Sequence, residues 1–399
     1  MNAVHVNPDA CIACTTCTVY CPVAAQTEAF PGPRMIGPAY ERFRLLGMVE
    51  DPSLSWCSNC KNCDIACPQG VSIASINMMA RAREYEKAHP HFLRDWIVSH
   101  SETLARLIGP VPAGLKNGVM RNSLVRGILD MIGIDRKAFM PSYAPKRFRT
   151  LLKDLRQPKT GRKVALFPGC YVDLYDPQAG LDLVWALNQA GCEVVCPDAF
   201  CCCGVPMVAS GFMLDAGVNA KRNLIEVKKL KEQGIPVLTA CPSCELMFRE
   251  ELPTFFPELV SSLQCDSALV DAQEFLLEAE SRGELKLDVK PGAGRYLYHA
   301  PCHMRALGIG LPGFELLRRF GVDVRPASAG CCGISGSYGF KKEKHEVSMK
   351  VGAELFGVVK ESGCQAVATE CGTCRLQIAG ATGAECRHPV SLLRSLAGR

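Results

Sequence analysis

The chain has 399 residues, of which 48% are hydrophobic and 21% charged, and its formal net charge is +5. This composition supports packed domains and excludes a disordered chain, and the small charge without a dense basic run argues against nucleic acid as a partner. The 24 cysteines indicate metal-bound thiols in a reducing compartment, since we find no export segment before the first of them. No apolar run reaches the ~18 residues of a membrane span, so we expect any membrane contact to be peripheral.

The N-terminal region contains one cysteine spacing twice, Cys-x2-Cys-x2-Cys-x3-Cys-Pro. This spacing binds paired [4Fe–4S] cubane clusters in bacterial ferredoxins, where the fourth cysteine of each run binds the other cluster. Crosswise sharing predicts two ligand sets, which are Cys11, Cys14, Cys17 and Cys67 for one cluster and Cys57, Cys60, Cys63 and Cys21 for the other. A disulfide framework and structural zinc sites are the alternatives, and both fit the triplet spacing less well.

We predict a dicluster ferredoxin-like domain over residues 1–90 and a helical connector over 91–162. Residues 71–88 have helical periodicity and would cover the clusters, with Arg81, Arg83 and Lys87 facing solvent. Residues 104–134 mix apolar and basic side chains. They fit either an interfacial amphipathic hairpin that meets anionic lipid or a connector packed on the clusters, and we favour the packed connector.

From residue 163 the chain alternates short apolar strands with helices and then repeats the whole pattern. The strands are predicted at 164–167, 193–195 and 236–239, and again at 296–299, 322–324 and 366–369. Such alternation predicts parallel α/β sheets, and one repetition indicates a duplicated domain. The predicted fold class is therefore α+β multidomain, a mainly helical module followed by duplicated α/β cysteine-rich domains at 163–290 and 291–399.

Each repeat places five cysteines where its strands end. They are Cys170, Cys202, Cys203, Cys241 and Cys244 in the first unit, and Cys302, Cys331, Cys332, Cys371 and Cys374 in the second. Open α/β sheets bind ligands at the carboxyl ends of their strands, so we predict a metal site in each unit. Gly204 and Gly333 would let the backbone approach a bulky centre. Buried packing thiols or zinc ligands are the alternatives.

Several residues outside these sets could have either a structural or a functional role. His299 and His303 flank Cys302 and could donate protons to a quinone, but we favour a role in orienting the loop. Lys341 and Lys342 are predicted to lie on a solvated surface. Five further cysteines lack a counterpart in the repeat and are interpreted as packing thiols, namely Cys192, Cys196, Cys265, Cys364 and Cys386.

The paired ferredoxin motifs, followed by two Cys…Cys-Cys-Gly…Cys-x2-Cys units, resemble a family of iron–sulfur redox subunits. The family includes heterodisulfide reductase subunits and the iron–sulfur subunits of glycolate and lactate oxidases and of anaerobic glycerol-3-phosphate dehydrogenase. Local phrases such as Pro31-Gly32-Pro33-Arg34 and Tyr338-Gly339-Phe340 are most similar to the last of these. The extra Cys201 departs from the family's Cys-Cys-Gly pattern.

The resemblance implies an electron-transfer subunit that relays electrons from a flavoprotein dehydrogenase to the membrane quinone pool. It implies a cytoplasmic protein, peripheral on the inner face of the cell membrane, which helps to dock the flavoprotein there. It also implies noncubane [4Fe–4S] clusters in one or both cysteine-rich domains, beside the two cubane clusters. The alternatives are a glycolate or lactate oxidase subunit, a heterodisulfide-reductase-like catalytic subunit, or a zinc scaffold.

We find no G-x-G-x-x-G fingerprint that opens a βαβ unit, and therefore no sign of a flavin or nicotinamide site. Electrons must then come from another protein, because nothing in this sequence would bind a two-electron cofactor. The sequence assigns no catalytic residue.

Overall fold

The computed structural model of the protein describes residues 6–49, 51–290 and 294–397. The N-terminal module is mainly helical, and two of its short helices carry the third cysteine of each ferredoxin motif. Its helices are α1 (Thr16–Val19), α2 (Tyr40–Leu45), α3 (Asn62–Ile65) and α4 (Ile73–Lys87). Helix α4 is buried on more than one side, because Ile73 and Ile76 pack with the motif cysteines whereas Met78 packs in the core shared with the next unit.

Arg81 on α4 is buried, so the prediction that it faces solvent is wrong. Its guanidinium donates hydrogen bonds to the carbonyls of Leu54 and Cys57, both at 2.7 Å, and to that of Ala209 at 2.5 Å. The side chain therefore joins the second motif to the end of a helix in the next unit. Arg83 is part-exposed and pairs with Glu41, in agreement with its predicted position.

Five helices form the connector. They are α5 (Phe92–Ser99), α6 (Ser101–Leu107), α7 (Ala113–Arg121), α8 (Ser123–Met131) and α9 (Phe148–Asp154). Helices α7 and α8 pack against each other, and neither has a fully buried residue. The interpretation of this stretch as a connector packed on the clusters is therefore wrong for these two helices.

The first α/β unit contains a four-stranded parallel sheet in the order β2–β1–β3–β4. Its elements are β1 (Lys163–Phe167), α10 (Gly169–Leu174), α11 (Pro177–Gln189), β2 (Glu193–Val195), α12 (Val205–Ala209), α13 (Met213–Glu232), β3 (Val237–Thr239), α14 (Pro242–Leu246), α15 (Leu252–Phe255), α16 (Pro257–Leu263), β4 (Val270–Asp271) and α17 (Ala272–Ser281). Strand β1 lies in the middle of the sheet, and its four apolar residues are inaccessible to solvent on both faces.

The second unit repeats this order with a parallel sheet β6–β5–β7–β8. Its elements are β5 (Tyr296–Tyr298), α18 (Cys302–Leu307), α19 (Pro312–Arg319), β6 (Val324–Pro326), α20 (Lys342–Ser362), β7 (Ala366–Ala368), α21 (Gly372–Thr382), β8 (Cys386–Arg387) and α22 (Pro389–Leu396). The predicted fold class, a mainly helical module before duplicated α/β cysteine-rich domains, is confirmed. Strands β4 and β8 have two residues each and were too short to predict.

The two α/β units share one apolar core. Leu238 and Leu276 of the first unit belong to the same buried cluster as Tyr298 and Leu316 of the second. A further core joins the ferredoxin module to the first unit, because Leu54 and Met78 pack together with Phe167, Phe200 and their neighbours. The boundaries at residues 90, 162 and 290 stay a prediction, and residue 291, where the second unit would begin, lies outside the described residues. In the part of the chain that is described, no helix combines the length and apolarity that crossing a bilayer requires.

Replacing Arg81 with methionine should destabilise the protein strongly. The change leaves three carbonyls without their donor, and a buried polar group that loses its partner costs about 1–3 kcal/mol. We expect a loss of about 3 kcal/mol or more in the free energy of unfolding, measured by urea denaturation under anaerobic conditions. Arg83→Met on the same helix is the matched control and should cost about 1 kcal/mol or less. Equal losses for the two variants would contradict the structural role of Arg81.

Candidate metal centres

The two ferredoxin motifs share an unusual backbone. A non-glycine residue with positive φ stands on each side of the second cysteine, Ala13 and Thr15 around Cys14 and Asn59 and Lys61 around Cys60. These four are among the six non-glycine residues with positive φ in the described chain. The left-handed conformation is unfavourable for residues with a Cβ, and it turns backbone N–H groups towards a common hollow that suits an anion. Each loop is therefore shaped around a negatively charged group.

The first predicted ligand set lies at the surface. Burial raises the pKa of Cys17, and the neighbouring thiols of Cys11, Cys67 and Cys14 raise it further, so these four sulfurs are close together. Cys14 is exposed, whereas Cys11 and Cys67 are half-buried. The N–H of Val71 donates to the Cys67 sulfur at 3.3 Å. A group held here would be reachable from outside the protein.

The second predicted ligand set is buried. Cys21, Cys57, Cys60 and Cys63 all line one cavity. Burial raises the pKa of Cys60 and of Cys63 well above the ordinary thiol value. Four buried thiols around one cavity fit a cationic metal core, because metal binding displaces their protons and supplies the missing positive charge. The ligand assignment itself stays a prediction.

A buried ion pair holds the second motif against the first α/β unit. The ammonium of Lys61 lies 3.2 Å from Glu251 Oε1, and the Asn59 side chain donates to the same oxygen at 3.0 Å. Burial by itself lowers the pKa of Lys61, but Glu251 and Asp64 outweigh it and raise the pKa, so the side chain stays charged. Sequence reasoning identified none of these residues. The only signal in the sequence was that Asn59 and Lys61 flank the predicted ligand Cys60.

The five cysteines of each α/β unit form one continuous chain of sulfur contacts. In the first unit the order of contacts is Cys170, Cys202, Cys203, Cys244 and Cys241. In the second it is Cys302, Cys331, Cys332, Cys374 and Cys371, with 3.1 Å between the Cys332 and Cys374 sulfurs. The order is the same in both units once the repeats are aligned. Each quintet therefore offers one set of thiols to one bound group.

The charge state of these thiols suits metal binding. Hydrogen bonds from Cys202 and Cys244 lower the pKa of Cys203, and a hydrogen bond from Cys374 lowers that of Cys371. Since the thiolate is the form that binds metals, at least one thiol in each quintet is poised to begin ligation. The second quintet also lines a cavity, to which Cys302, Cys332, Cys371 and Cys374 contribute.

Cys201 lies outside the first quintet although it adjoins Cys202 in sequence. Its sulfur is directed to Asn219 O at 3.7 Å and to Asn223 Oδ1 at 3.5 Å, away from the other thiols. The pair that belongs to the chain of sulfur contacts is therefore Cys202 and Cys203, and their role as metal ligands stays a prediction.

Gly204 and Gly333 follow the paired cysteines, and both have positive φ, 99° and 85°. At Gly333 a Cβ would lie 1.9 Å from the carbonyl oxygen of Ser348 on α20. Glycine is therefore required at Gly333 by close packing on a helix and by the left-handed turn, rather than only by approach to a bound group as we expected.

The ferredoxin module lies against the second unit's thiols. Besides burial, the nearby Cys331 thiol raises the pKa of Cys60. The Cys60 thiol in turn raises the pKa of Cys302. His303 of the second unit contacts both the second motif and the first unit, with one ring nitrogen 2.9 Å from Asn59 O and the other 2.8 Å from Ser243 Oγ. These contacts fit the interpretation of His303 as a residue that orients the loop.

Tyr171 connects the two quintets. It follows Cys170 in sequence, and its ring packs on Gly372, which lies between Cys371 and Cys374. Burial raises the pKa of Tyr171, and both of those thiols raise it further, which places the ring beside them. Cys17 of the first ligand set is among the neighbours that raise the pKa of Cys21 in the second. The four sets of cysteines are thus contiguous, from the exposed Cys14 through the second motif and the second unit to the first.

His299 is the second predicted histidine of this region, and it is buried against the second quintet. A ring nitrogen of His299 and the sulfurs of Cys332 and Cys374 all lie within 4.8 Å of one another. Burial lowers the pKa of His299 to about 4, so the ring is neutral near pH 7.

The prediction that Lys341 lies on a solvated surface is wrong. Lys341 is buried, 3.0 Å from Asp95, and burial lowers its pKa to about 8. Lys342 does lie at the surface, where it pairs with Asp130. The five cysteines interpreted as packing thiols, Cys192, Cys196, Cys265, Cys364 and Cys386, are buried or half-buried and stand apart from both quintets in the contact order.

Comparison with known proteins identifies the same two kinds of domain. The sequence matches the 4Fe-4S dicluster domain over residues 7–71 and the cysteine-rich (CCG) domain over 164–249 and again over 296–379. These matches support iron–sulfur clusters in the chain.

Three relatives cover much or all of this architecture. The subunit designated C of anaerobic glycerol-3-phosphate dehydrogenase from Escherichia coli (strain K12) is 36% identical over 96% of this chain and 97% of that protein. The subunit designated B of fumarate reductase (CoM/CoB) from Methanothermobacter marburgensis is 27% identical over 92% of this chain and 67% of that protein. Lactate utilization protein A of Bacillus pumilus is 29% identical over 55% of this chain and 91% of that protein.

Neighbouring cysteines of the first unit should differ in their effect on metal content. Cys203→Ser removes a thiol from the quintet and should lower iron and acid-labile sulfide by the content of one cluster. Cys201→Ser should leave both unchanged, since its sulfur is directed elsewhere. Iron and sulfide assays on anaerobically purified protein would measure this, and iron loss in Cys201→Ser with none in Cys203→Ser would show that the register is wrong.

Proposed function

Because the chain belongs to the same family as this anaerobic glycerol-3-phosphate dehydrogenase subunit, we propose that it is the iron–sulfur electron-transfer subunit of a respiratory flavin dehydrogenase complex. The partner flavoprotein would oxidise sn-glycerol 3-phosphate, and this chain would pass the electrons to membrane quinone. The observation that carries the proposal is the contiguity of the four cysteine sets, which reach from an exposed thiol to the interior.

The cofactors in this proposal are two cubane [4Fe–4S] clusters at the ferredoxin motifs and one or two noncubane [4Fe–4S] clusters at the quintets. When bound, such clusters accept and release single electrons. The left-handed loops around Cys14 and Cys60 would orient N–H groups towards them, and the apolar core around Cys21 and Cys57 would exclude water. Lys61 would offset part of the negative charge at the second motif.

The flavoprotein would dock at the first motif. Cys14 is exposed there, and apolar side chains near the motif cysteines are also exposed, among them Ile12, Val19, Tyr20 and Ile65. Exposed apolar side chains around a redox site are typical of a protein–protein contact. From this docking point electrons would pass to the second motif, then to the second unit and then to the first, because Cys60 lies near Cys331 and Tyr171 packs on Gly372.

The acceptor side would lie near the first quintet, beneath the start of α6. Glu102 on α6 accepts a hydrogen bond from the N–H of Cys202, and Ser101 contacts the Cys170 thiol. Helices α7 and α8 follow α6 in the chain, and Asn117 of α7 bonds to Tyr143, whose ring packs on Tyr175 near Cys170.

Helices α7 and α8, here named the helical hairpin (residues 113–131), have an inverted polarity that fits a membrane surface. Polar side chains point inward: Asn117 exchanges two hydrogen bonds with the Tyr143 backbone, at 2.9 and 2.8 Å, and Arg126 donates to carbonyls of residues 135–138. The outward side chains are apolar instead, with Leu124, Ile128 and Met131 exposed by 78%, 56% and 78%. A helix on a globular surface normally has the opposite arrangement.

The charge around the hairpin fits anionic lipid. Residues 101–147 contain eight lysines and arginines and three acidic residues, so this segment alone carries a net charge of +5, which equals that of the whole chain. Apolar side chains flanked by basic ones are the pattern of interfacial helices that bind anionic bilayers. We therefore assign the peripheral membrane contact to the hairpin.

The relay is tested by anaerobic mixing with the flavoprotein. We expect sn-glycerol 3-phosphate to reduce a menaquinone analogue rapidly when flavoprotein and this chain are both present, and at most slowly when either is omitted, followed by stopped-flow absorbance. Failure of any flavoprotein to co-purify, together with no quinone reduction, would contradict the proposal. Oxidation of the reduced chain alone by a disulfide would support a heterodisulfide-reductase-like activity instead.

The hairpin is tested with vesicles. Wild-type protein should co-sediment with vesicles that contain anionic lipid, and Leu124→Ser/Ile128→Ser/Met131→Ser should bind at least tenfold more weakly. Arg136→Gln/Lys137→Gln should also weaken binding, by about 1 kcal/mol for each lost charge. Leu214→Ser/Val218→Ser/Ile225→Ser on α13 removes three similarly exposed apolar side chains and is the matched control. Equal binding by both triple variants would remove the hairpin from the membrane contact.

A further inference from the structure

The two quintets differ at one aligned position. In the first unit β1 ends at Phe167, three residues before Cys170, and in the second unit His299 stands three residues before Cys302. The sulfur contact order is otherwise the same in both units. The second unit thus has an imidazole where the first has a phenyl ring.

The position of His299 leaves one of its polar atoms without a protein partner. The residue is 1% exposed, and its Nε2 has no hydrogen-bond partner among the described residues. A buried nitrogen without a partner is unfavourable unless something binds it. The nearby polar atoms that the geometry identifies are the sulfurs of Cys332 and Cys374, which with a ring nitrogen form a triangle of sides below 4.8 Å.

Other histidines at this end of the sheets have a partner for each ring nitrogen. His303 bonds to Asn59 and Ser243, and His388 bonds to the backbone of Ala240 and Val390. His299 therefore differs from histidines whose role is to fix a loop. One ring nitrogen of His299 and the thiol pair lie close enough together to share one metal ion, since imidazole and thiolate are both ligands of iron.

We propose that His299 is a nitrogen ligand of the metal centre in the second unit, alongside Cys332 and Cys374. The centre of the first unit, with Phe167 at that position, has only thiolate ligands. Replacing thiolate character by imidazole raises the reduction potential of iron–sulfur centres. The two units thus hold centres of unequal potential.

The inference rests on the proposed metal binding by the second unit, and the same sample reports on both. Full-length protein is purified anaerobically with ¹⁵N-histidine and, separately, at natural abundance, and pulsed EPR is recorded in the paramagnetic states reached by redox titration. We expect a nitrogen coupling of the size found for directly bound imidazole, changed by the label and lost in His299→Phe. His303→Phe, which removes a neighbouring imidazole, is the control and should keep the coupling.

The outcomes separate the possible failures. A sample that retains its clusters but shows only the weak coupling of a hydrogen-bonded nitrogen, or none, overturns His299 as a ligand. If the same sample proves to have no iron in its second unit, that result contradicts the proposed function instead. Should His299→Phe fail to fold, the labelled wild-type spectrum still decides the question, and His299→Ala supplied with ¹⁵N-imidazole should regain the coupling.

Discussion

The burial of many thiols in contact with one another is the constraint on which the rest of this structure depends. Sulfur atoms that meet in the interior repel each other as thiolates, and as thiols they have few partners, so the arrangement calls for a bound cation. The fold meets this demand at the carboxyl ends of two parallel sheets, where loops from several strands converge. The same edge receives the second ferredoxin motif, and this brings its thiols next to those of the second unit.

Buried charges hold these parts in register. Glu251 of the first unit contacts both Lys61 and Asn59 of the second motif, while His303 of the second unit contacts Asn59 and Ser243. Separating the ferredoxin module from the two units would leave these groups unpaired, and an unpaired buried charge is costly. These buried contacts therefore fix the distances between the metal sites. A rigid spacing of this kind is what electron transfer between neighbouring centres requires.

Local patterns were enough to predict much of the fold. Strand β1 is an uninterrupted apolar run, and the repeat of strands, helices and cysteines from residue 163 gave the duplication and the five thiols of each unit. What could not be predicted depends on contacts between residues far apart in sequence. Arg81 on α4 and Lys341 just before α20 look like surface residues in the sequence, and only the neighbouring segments bury them. The sequence allowed an interfacial hairpin but could not decide for it, because periodicity shows that a helix has two sides but not which side meets the protein. The neighbours of Cys201 and His299 also come from other elements.

The central claim is that the second ferredoxin motif and the second α/β unit hold adjacent metal centres on one path. Anomalous diffraction at the iron edge from anaerobically grown crystals would test it most directly. The account predicts iron at Cys21, Cys57, Cys60 and Cys63, with the next iron centre at the quintet of Cys302, Cys331, Cys332, Cys371 and Cys374. Zinc at that quintet, or iron at the ferredoxin motifs alone, would contradict it.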